Sequence, residues 1–397
     1  MDNLISGLQF FMPTRVLFGP GKLNVVGEEV AQLGKRALVV TGKTAARKYG
    51  YTDRTIDLLK RSGVDAIVFD EIEANPTVNT VNMGGDVARR EKCDVIIGLG
   101  GGSAMDSAKY IALIAAEEMD CWEIVEGREL TRPPLPMVAI TMTAGTGSEV
   151  SQFAVLTNPD LGRKDGTGRP YLYPKLSIVD PELTLTLPPW ETAASGIDAL
   201  AQAIEPYTSR FANPLSDMFA VQAIKLVAEN LRQAVHNGNN LIARTNMHMA
   251  NVLAGFSLTL VDTTICHVIA EAVGAAYNTG HGESVALTLP AVMEYNCVSN
   301  LEKYANIARL MGVNTYGMSV REAAFKAPGA VRDLIKDVGL PQGLAGLGVK
   351  EIGRVIELAS RPGLRDSNPR PLDDKAIELL VRASLDPKMS YWALSEQ

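Results

Sequence analysis

Residues 94–109 read DVIIGLGGGSAMDSAK. The short apolar run before the glycines is strand-like, and the residues after Ser103 are helix-like. Between them, Gly100, Gly101 and Gly102 let the backbone approach another group closely. The start of the following helix offers N–H groups and a positive dipole end, so a pyrophosphate fits there. The pattern is not the common dinucleotide fingerprint. Ser103 takes the third glycine position, and the loop follows the third apolar run of the chain rather than the first. A tight turn that merely packs a helix closely is the competing reading.

The flanking segments repeat the same rhythm. ALVVTG (37–42), AIVFDEI (66–72) and PMVAITMTAGTGS (136–148) are β-rich runs separated by helical patterns. Continuous apolar strands alternating with helices predict a doubly wound α/β domain with a parallel sheet, which binds ligands at the carboxyl ends of its strands. The loop TMTAGTGSEVS (141–151) offers hydroxyls at Thr143, Thr146 and Ser148. After the first apolar run the chain reads Thr41-Gly42-Lys43-Thr44, with no carboxylate to accept a ribose 2′-OH. That favours NADP over NAD, unless the segment is a plain turn with a solvated lysine.

After TLPPW (186–190) the pattern becomes almost wholly helical, over 191–209, 214–234, 243–274, 301–311 and 320–338. We therefore expect a dinucleotide-binding domain at 1–187 and an all-α domain at 188–397. A helical domain against such a sheet usually leaves an active-site cleft.

The chain has 397 residues, 46% hydrophobic and 21% charged, which suits two globular domains. A net charge of −7 without a basic cluster argues against a nucleic-acid partner. Cys93, Cys121, Cys266 and Cys297 form no CxxC pair and read as reduced, mostly buried thiols. The first residues, MDNLISGLQFFMP, lack the pattern of a signal peptide, and no apolar run reaches membrane-spanning length. A cytoplasmic location is the expectation.

Four histidines occur. His236 and His248 lie in helical stretches and read as surface or satisfied core residues. His267 and His281 bracket CHVIAEAVGAAYNTGHGES, where a helical pattern ends in a Gly-rich turn that can bring two imidazoles together. Upstream, SGIDALAQAIE (195–205) sets Asp198 and Gln202 on one helix face, and Glu271 is likewise i+4 from His267. One carboxylate and two imidazoles can hold a divalent metal with a position open to substrate, although isolated pairs of this kind are commonly structural. Trp122, Phe153, Phe256 and Tyr277 are candidates for an apolar pocket and equally for core.

Taken in order and spacing, these pieces resemble the iron-containing (group III) alcohol dehydrogenase family. FFMPTRVLFGPGKL (10–23), NPTVNTV (75–81), GGGSAMDSAK (100–109) and TAGTGSEVS (143–151) match in the first half. YPKLSIVDPELTLTLPP (173–189), GIDALAQAIEPYTS (196–209), CHVIAEAVGAAYNTGHG (266–282) and SNPRPLDD (367–374) match in the second. The resemblance implies NAD(P)-dependent hydride transfer between a nicotinamide and a small alcohol or aldehyde, a metal (Fe or Zn), and a homodimer or larger assembly. It implies cofactor contacts from Gly42, Lys43, Thr44, Asn75, Gly100, Gly101, Gly102, Ser103, Asp106, Thr143, Thr146 and Lys164.

The metal site departs from the family pattern of one Asp and three His. Asp198, His267 and His281 match, but Gln202 stands where the third imidazole belongs. Glu271 replaces a further histidine associated with proton transfer. Three readings follow: a three-ligand Asp-His-His site, Glu271 as a replacement ligand, or acid–base work by His267 and Glu271 with little or no metal. A metal-independent reductase on this scaffold, or a nucleotide-binding protein with a decayed metal site, are the rival functions. Dehydroquinate synthase shares the architecture, so fold alone does not fix the chemistry.

Overall fold

Eight strands carry the first half of the chain: β1 Arg15–Phe18, β2 Arg36–Gly42, β3 Asp65–Ile72, β4 Val95–Gly100, β5 Met137–Thr141, β6 Phe153–Asn158, β7 Arg163–Gly168 and β8 Leu176–Val179. The computed structural model describes residues 8–361, 365–386 and 388–396. Six strands form one sheet in the order β1-β8-β5-β4-β2-β3, parallel throughout. Strands β4 and β5 are buried along their whole length. That is why their sequences are continuously apolar rather than alternating.

Period-2 geometry divides the sheet's side chains between two cores. Ala37 and Val39 pack with Val95, Ile97, Leu99, Val138 and Ile140 on one face. Leu38 and Val40 pack with Ile96 and Ala139 on the other. Helices α1 (Val78–Arg90) and α2 (Gly102–Ala116) belong to this unit, which spans Phe11–Leu187. From β2 the chain steps outward to β3, then returns to the opposite side of β2 to lay down β4. The strand order therefore reverses between β2 and β4, and ligands bind at the carboxyl ends of strands flanking such a point.

The sequence reading missed β1 and β8, each four residues long and too short to show a period. The run ALVVTG is thus the second strand in the chain, not the first. The reading also missed the antiparallel hairpin β6–β7, whose second strand, RKDGTG, has no apolar run at all.

The second unit comprises the described residues from Pro188 onward together with residues 8–10. The Phe10 ring lies 6.1 Å from that of Phe219. Five long helices lead it: α3 Pro189–Thr208, α4 Pro214–His236, α5 Leu241–Val261, α6 Ile265–Tyr277 and α7 His281–Asn296. Pro at the first helical position and the Asn213 side chain, accepting from Leu215 N and Ser216 N, start α4. Leu301–Leu310, Val320–Ala324 and Ala327–Asp337 follow, so 320–338 is two helices.

The expected single helix over 243–274 is also two. Asp262 adopts φ +71, a conformation sparsely populated by non-glycine residues, and its Oδ1 accepts from Thr263 N at 2.7 Å. The amides of Thr264 and Cys266 then turn to a side chain instead of a carbonyl one turn back. Among the described residues, no single helix is long and apolar enough to cross a membrane. All four cysteines are free and buried.

His236 is exposed, and its Nε2 meets the Asp337 carbonyl oxygen at 2.7 Å. His248 corrects the expectation of a satisfied core histidine. It is fully buried on α5, and neither ring nitrogen has a hydrogen-bond partner. Burial, with Arg244 one turn away, pushes its imidazole down to about 3. His248 is therefore neutral in the fold but takes a proton in the unfolded chain below about pH 6.5. Its share of stability is present above pH 6.5 and is lost as pH falls toward 3. At pH 5 the loss is about 2 kcal/mol. Denaturant titrations at pH 7.5 and pH 5 should show a smaller pH-dependent fall for His248→Leu than for the parent. Parallel falls in the two proteins would refute this.

Candidate functional site

The first group of candidate residues gathers at the carboxyl ends of β2, β4 and β5. Gly100 closes β4 and pairs with Thr141 at the end of β5. A Cβ on Gly100 would lie 2.8 Å from the Ala104 Cβ. A Cβ on Gly102 would lie 2.7 Å from the Thr146 methyl, and one on Gly101 3.2 Å from the Thr143 methyl. The two loops singled out in the sequence are thus packed on one another, and the missing side chains make that approach possible. Gly101 provides no side-chain cap for the first-turn amides of α2.

Asn75 and Lys164 are 89 residues apart yet meet: Lys164 Nζ donates to Asn75 Oδ1 at 2.9 Å. The hairpin brings this about. Lys164 pairs with Thr157 across β6–β7, and Thr157 N donates to the Pro76 carbonyl at 2.8 Å. Ser103 Oγ donates to the Ala74 carbonyl at 2.6 Å, which fastens the start of α2 to the same segment.

Asp106 does different work. Its Oδ1 accepts from Ser148 Oγ at 2.6 Å and its Oδ2 from Val155 N at 3.0 Å. Burial pushes this carboxyl up, and Lys109 opposes the shift. Lys109, also missed by the sequence reading, donates to the carbonyls of Ser151 and Phe153. Burial brings its ammonium down to about 8. Asp106 and Lys109 therefore tie α2 to the Thr/Gly loop and the hairpin. At the end of β2, Gly42 is half-buried, and Lys43 and Thr44 are exposed. Lys43 Nζ lies 3.9 Å from Glu71, and Arg47 lies 2.6 Å from Asp70.

The second group lies in the helical unit. Asp198, His267 and His281 bring ligand atoms to within 4.8 Å of one another. His267 Nε2 is 3.4 Å from Asp198 Oδ1, and His281 Nε2 is 3.9 Å from the same oxygen. The positions follow from local structure. Asp198 is on α3, His267 opens α6 after the break, and His281 begins α7 after a turn in which Asn278 has φ +52. A Cβ on Gly282 would meet the Ala194 carbonyl oxygen at 2.7 Å, so a glycine there lets α7 start directly against α3.

Glu205 is the residue that the sequence reading missed. It sits on α3 within the quoted SGIDALAQAIE but was given no role. Its Oε1 accepts from Thr264 N at 2.9 Å, Thr264 Oγ1 at 2.5 Å and Cys266 N at 3.1 Å. Its Oε2 takes the Nδ1 proton of His267 in a short hydrogen bond. This fixes the tautomer of His267 and aims its Nε2 toward Asp198. Burial alone would push the His267 imidazole down; Glu205 and Asp198 together hold it well above the usual histidine range. The signal was in the spacing, since Glu205 is i+7 from Asp198 and so on the same helix face.

The donor set suits a divalent metal. Asp198 Oδ1, Gln202 Oε1 and His267 Nε2 are buried atoms without a hydrogen-bond partner. Buried polar atoms are nearly always satisfied, so three orphans on adjoining residues mark a place where something else completes the bonding. Ligand atoms about 2.0–2.1 Å from a tetrahedral ion lie about 3.4 Å apart, the spacing of His267 and Asp198. Glu271 is half-buried one turn beyond His267 on α6.

The four aromatic candidates are spread over both units. Trp122 is in the sheet-side core, and Phe256 packs edge-on against Phe219 at 5.3 Å. Tyr277 donates its hydroxyl to the Glu351 carbonyl at 2.6 Å, and Phe153 is half-buried on β6.

Comparison with known proteins bears on both groups. The model of the iron-containing alcohol dehydrogenase family matches residues 13–181, and that of the family's C-terminal part matches 192–385. The 1,3-propanediol dehydrogenase of Klebsiella pneumoniae is 42% identical over 377 residues, covering 94% of this chain and 97% of that protein. The NAD-dependent methanol dehydrogenase of Bacillus methanolicus is 35% identical over 381 residues, with 95% and 99% covered. A crystal structure of 1,3-propanediol oxidoreductase superimposes with a TM-score of 0.91 at 41% identity, covering 95% of this chain and 100% of that one. With the sheet, the glycine loop and the histidine cluster all in place, the chain belongs to the iron-containing alcohol dehydrogenase family.

Proposed function

We propose that this alcohol dehydrogenase interconverts small alcohols and aldehydes with NADP(H), assisted by a divalent iron or zinc held by Asp198, Gln202, His267 and His281. The convergence of Asp198, His267 and His281 ligand atoms to within 4.8 Å of one another carries the metal part of this reading. Bound there, the metal would supply Lewis acidity to the substrate oxygen, and the nicotinamide the hydride chemistry.

The chain's own residues do the rest. Asp198 contributes the negative charge, and Glu205 orients the His267 ring with Nε2 toward the site, where a bound metal would take the place of the proton that the two carboxylates otherwise favour. Gln202 adds a neutral hard oxygen in place of a third imidazole, a weaker donor that leaves the set dependent on its two histidines. Glu271, half-buried on the same helix as His267, is the group for proton exchange between the substrate oxygen and solvent. In the other unit, the amides at the start of α2 and the bare backbone of Gly100, Gly101 and Gly102 receive the pyrophosphate. Thr143, Thr146, Asn75 and Lys164 frame the remaining polar contacts.

The NADP preference rests on the end of β2. Gly42 offers no carboxylate, and Lys43 and Arg47 stand beside it with most of their side chains exposed. A 2′-phosphate would meet two cations there, in competition with their β3 partners Glu71 and Asp70, and no acid on β2 itself.

Asp198→Ala and His267→Ala should each lose bound metal and reduce kcat/KM at least a thousandfold. Metal content by elemental analysis and turnover of short aldehydes check this, and metal-replete, active variants of both would overturn it. Glu205→Ala should remove the acceptor for Thr264, Cys266 and His267 together. We expect about tenfold to a hundredfold weaker metal binding and about 1–3 kcal/mol lower stability from the stranded donors. Chelator competition and denaturant titration measure the two effects. Gly42→Asp has room, since the nearest atom to its Cβ is the Ile72 carbonyl oxygen at 3.5 Å. It should raise KM for NADPH at least tenfold and leave KM for NADH within about threefold. A parent enzyme that already prefers NADH would refute the cofactor assignment.

A further inference from the structure

The segment SNPRP (367–371) matches the family yet supplies no ligand or cofactor contact to either group described above. Its hydrogen bonds reach α7 itself and the segments that follow α3 and precede α6. Ser367 holds the last two of these at once. Its Oγ donates to the Thr263 carbonyl at 2.6 Å, in the break between α5 and α6. Its own carbonyl accepts from Ser209 Oγ at 2.8 Å and from Arg210 N at 3.2 Å, just beyond the end of α3.

Asn368 holds α7 itself. Its amide and that of Asn296, the last residue of α7, exchange two hydrogen bonds of 2.9 Å, and both residues are buried. The remaining Asn368 N–H donates to the Arg370 carbonyl at 2.6 Å, which curls the segment back on itself. Arg370 then donates to the Tyr295 carbonyl at 3.1 Å and lies over the Tyr295 ring at 4.1 Å. Tyr295 Oη returns a hydrogen bond to the Pro371 carbonyl.

We infer that Ser367 and Asn368 are positioning residues that set the spacing of α3, α6 and α7, and with it the geometry of Asp198, His267 and His281. The lever is short. Thr263, which Ser367 grips, immediately precedes Thr264, whose amide and hydroxyl bond Glu205, and Glu205 orients His267. Ser209 lies one helical turn after Glu205 and donates its amide to the Glu205 carbonyl. Ser367 thus fastens the two backbone segments that flank the Glu205–His267 pair. Asn368 fixes the far end of the helix whose first residue is His281. The inference rests on the metal reading given above, but the placement it predicts exists in the metal-free protein too.

The test uses full-length Ser367→Ala, Ser367→Thr and Asn368→Ala. In the metal-free protein, hydrogen exchange of the Thr264 and Cys266 amides should be at least tenfold faster in Ser367→Ala than in the parent. Exchange in β4 should be unchanged. Zn²⁺ binding, measured by chelator competition well below the melting temperature, should weaken about tenfold, and KM for NADPH should not move. Ser367→Thr, which keeps the hydroxyl, should restore both the exchange and the affinity. If Asn368→Ala fails to fold, Ser367→Ala carries the test, since it deletes a single hydroxyl. Unaltered exchange at Thr264 and Cys266 in a folded Ser367→Ala overturns the inference. A parent protein that binds no Zn²⁺ refutes the metal reading instead, and the exchange result still decides the placement.

Discussion

A carboxylate taken out of water must find donors for its lone pairs or give up its charge. Glu205 finds four, from Thr264 twice, from Cys266 and from His267. Much of the helical unit's local structure follows from this. The long apolar pattern over 243–274 cannot continue as one helix, because the amides that would extend it are spent on Glu205. The chain breaks at Asp262, restarts at Ile265, and presents His267 in the first turn of α6 with its tautomer set. The imidazole then faces Asp198, and the turn after Tyr277 brings His281 to the same oxygen.

The sheet-bearing unit solves a different problem by a related device. Its loops must approach a phosphate closely, which demands bare backbone, yet bare backbone is floppy. Thr143 and Thr146 fill the space above Gly101 and Gly102, so the glycine loop is held by the side chains of its neighbour. Asp106 and Lys109, both on α2, clamp that neighbour and the β6–β7 hairpin from below. In both units a buried charge is used to hold loops in place.

The sequence made the parallel sheet legible because β2, β4 and β5 are apolar runs that end in or lead to glycine, with helical patterns between them. Strands β1 and β8 are too short to carry a period, and β7 is polar, so tertiary pairing alone defines them. Asp198, His267 and His281 were legible as metal-ligating residue types at helical and turn spacing. Glu205 was not, since a glutamate in a helix is ordinary until its burial is known. The helix break at Asp262 was hidden for the same reason: its cause lies 57 positions upstream. The hydrogen bonds of Asp106 to Ser148 and Val155 were not legible, since a residue's place in a motif does not name its partners 42 and 49 positions away.

The two histidine losses, Gln202 and Glu271, raise the question of whether the site is relaxing out of use. The energetics favour retention. A site no longer filled would gain stability by burying apolar groups at Asp198 and Gln202, since unpaired buried polar atoms cost about 1–3 kcal/mol each. Here Asp198 Oδ1, Gln202 Oε1 and His267 Nε2 stay buried without a hydrogen bond, while every donor around Glu205 is in place. A glutamine is also a particular kind of replacement: it keeps an oxygen donor at the ligand position, where an alanine or leucine would fill the space without one. The outer carboxylate, the fixed tautomer and the retained oxygen all make sense together if a cation occupies the centre. They make little sense as the remains of one.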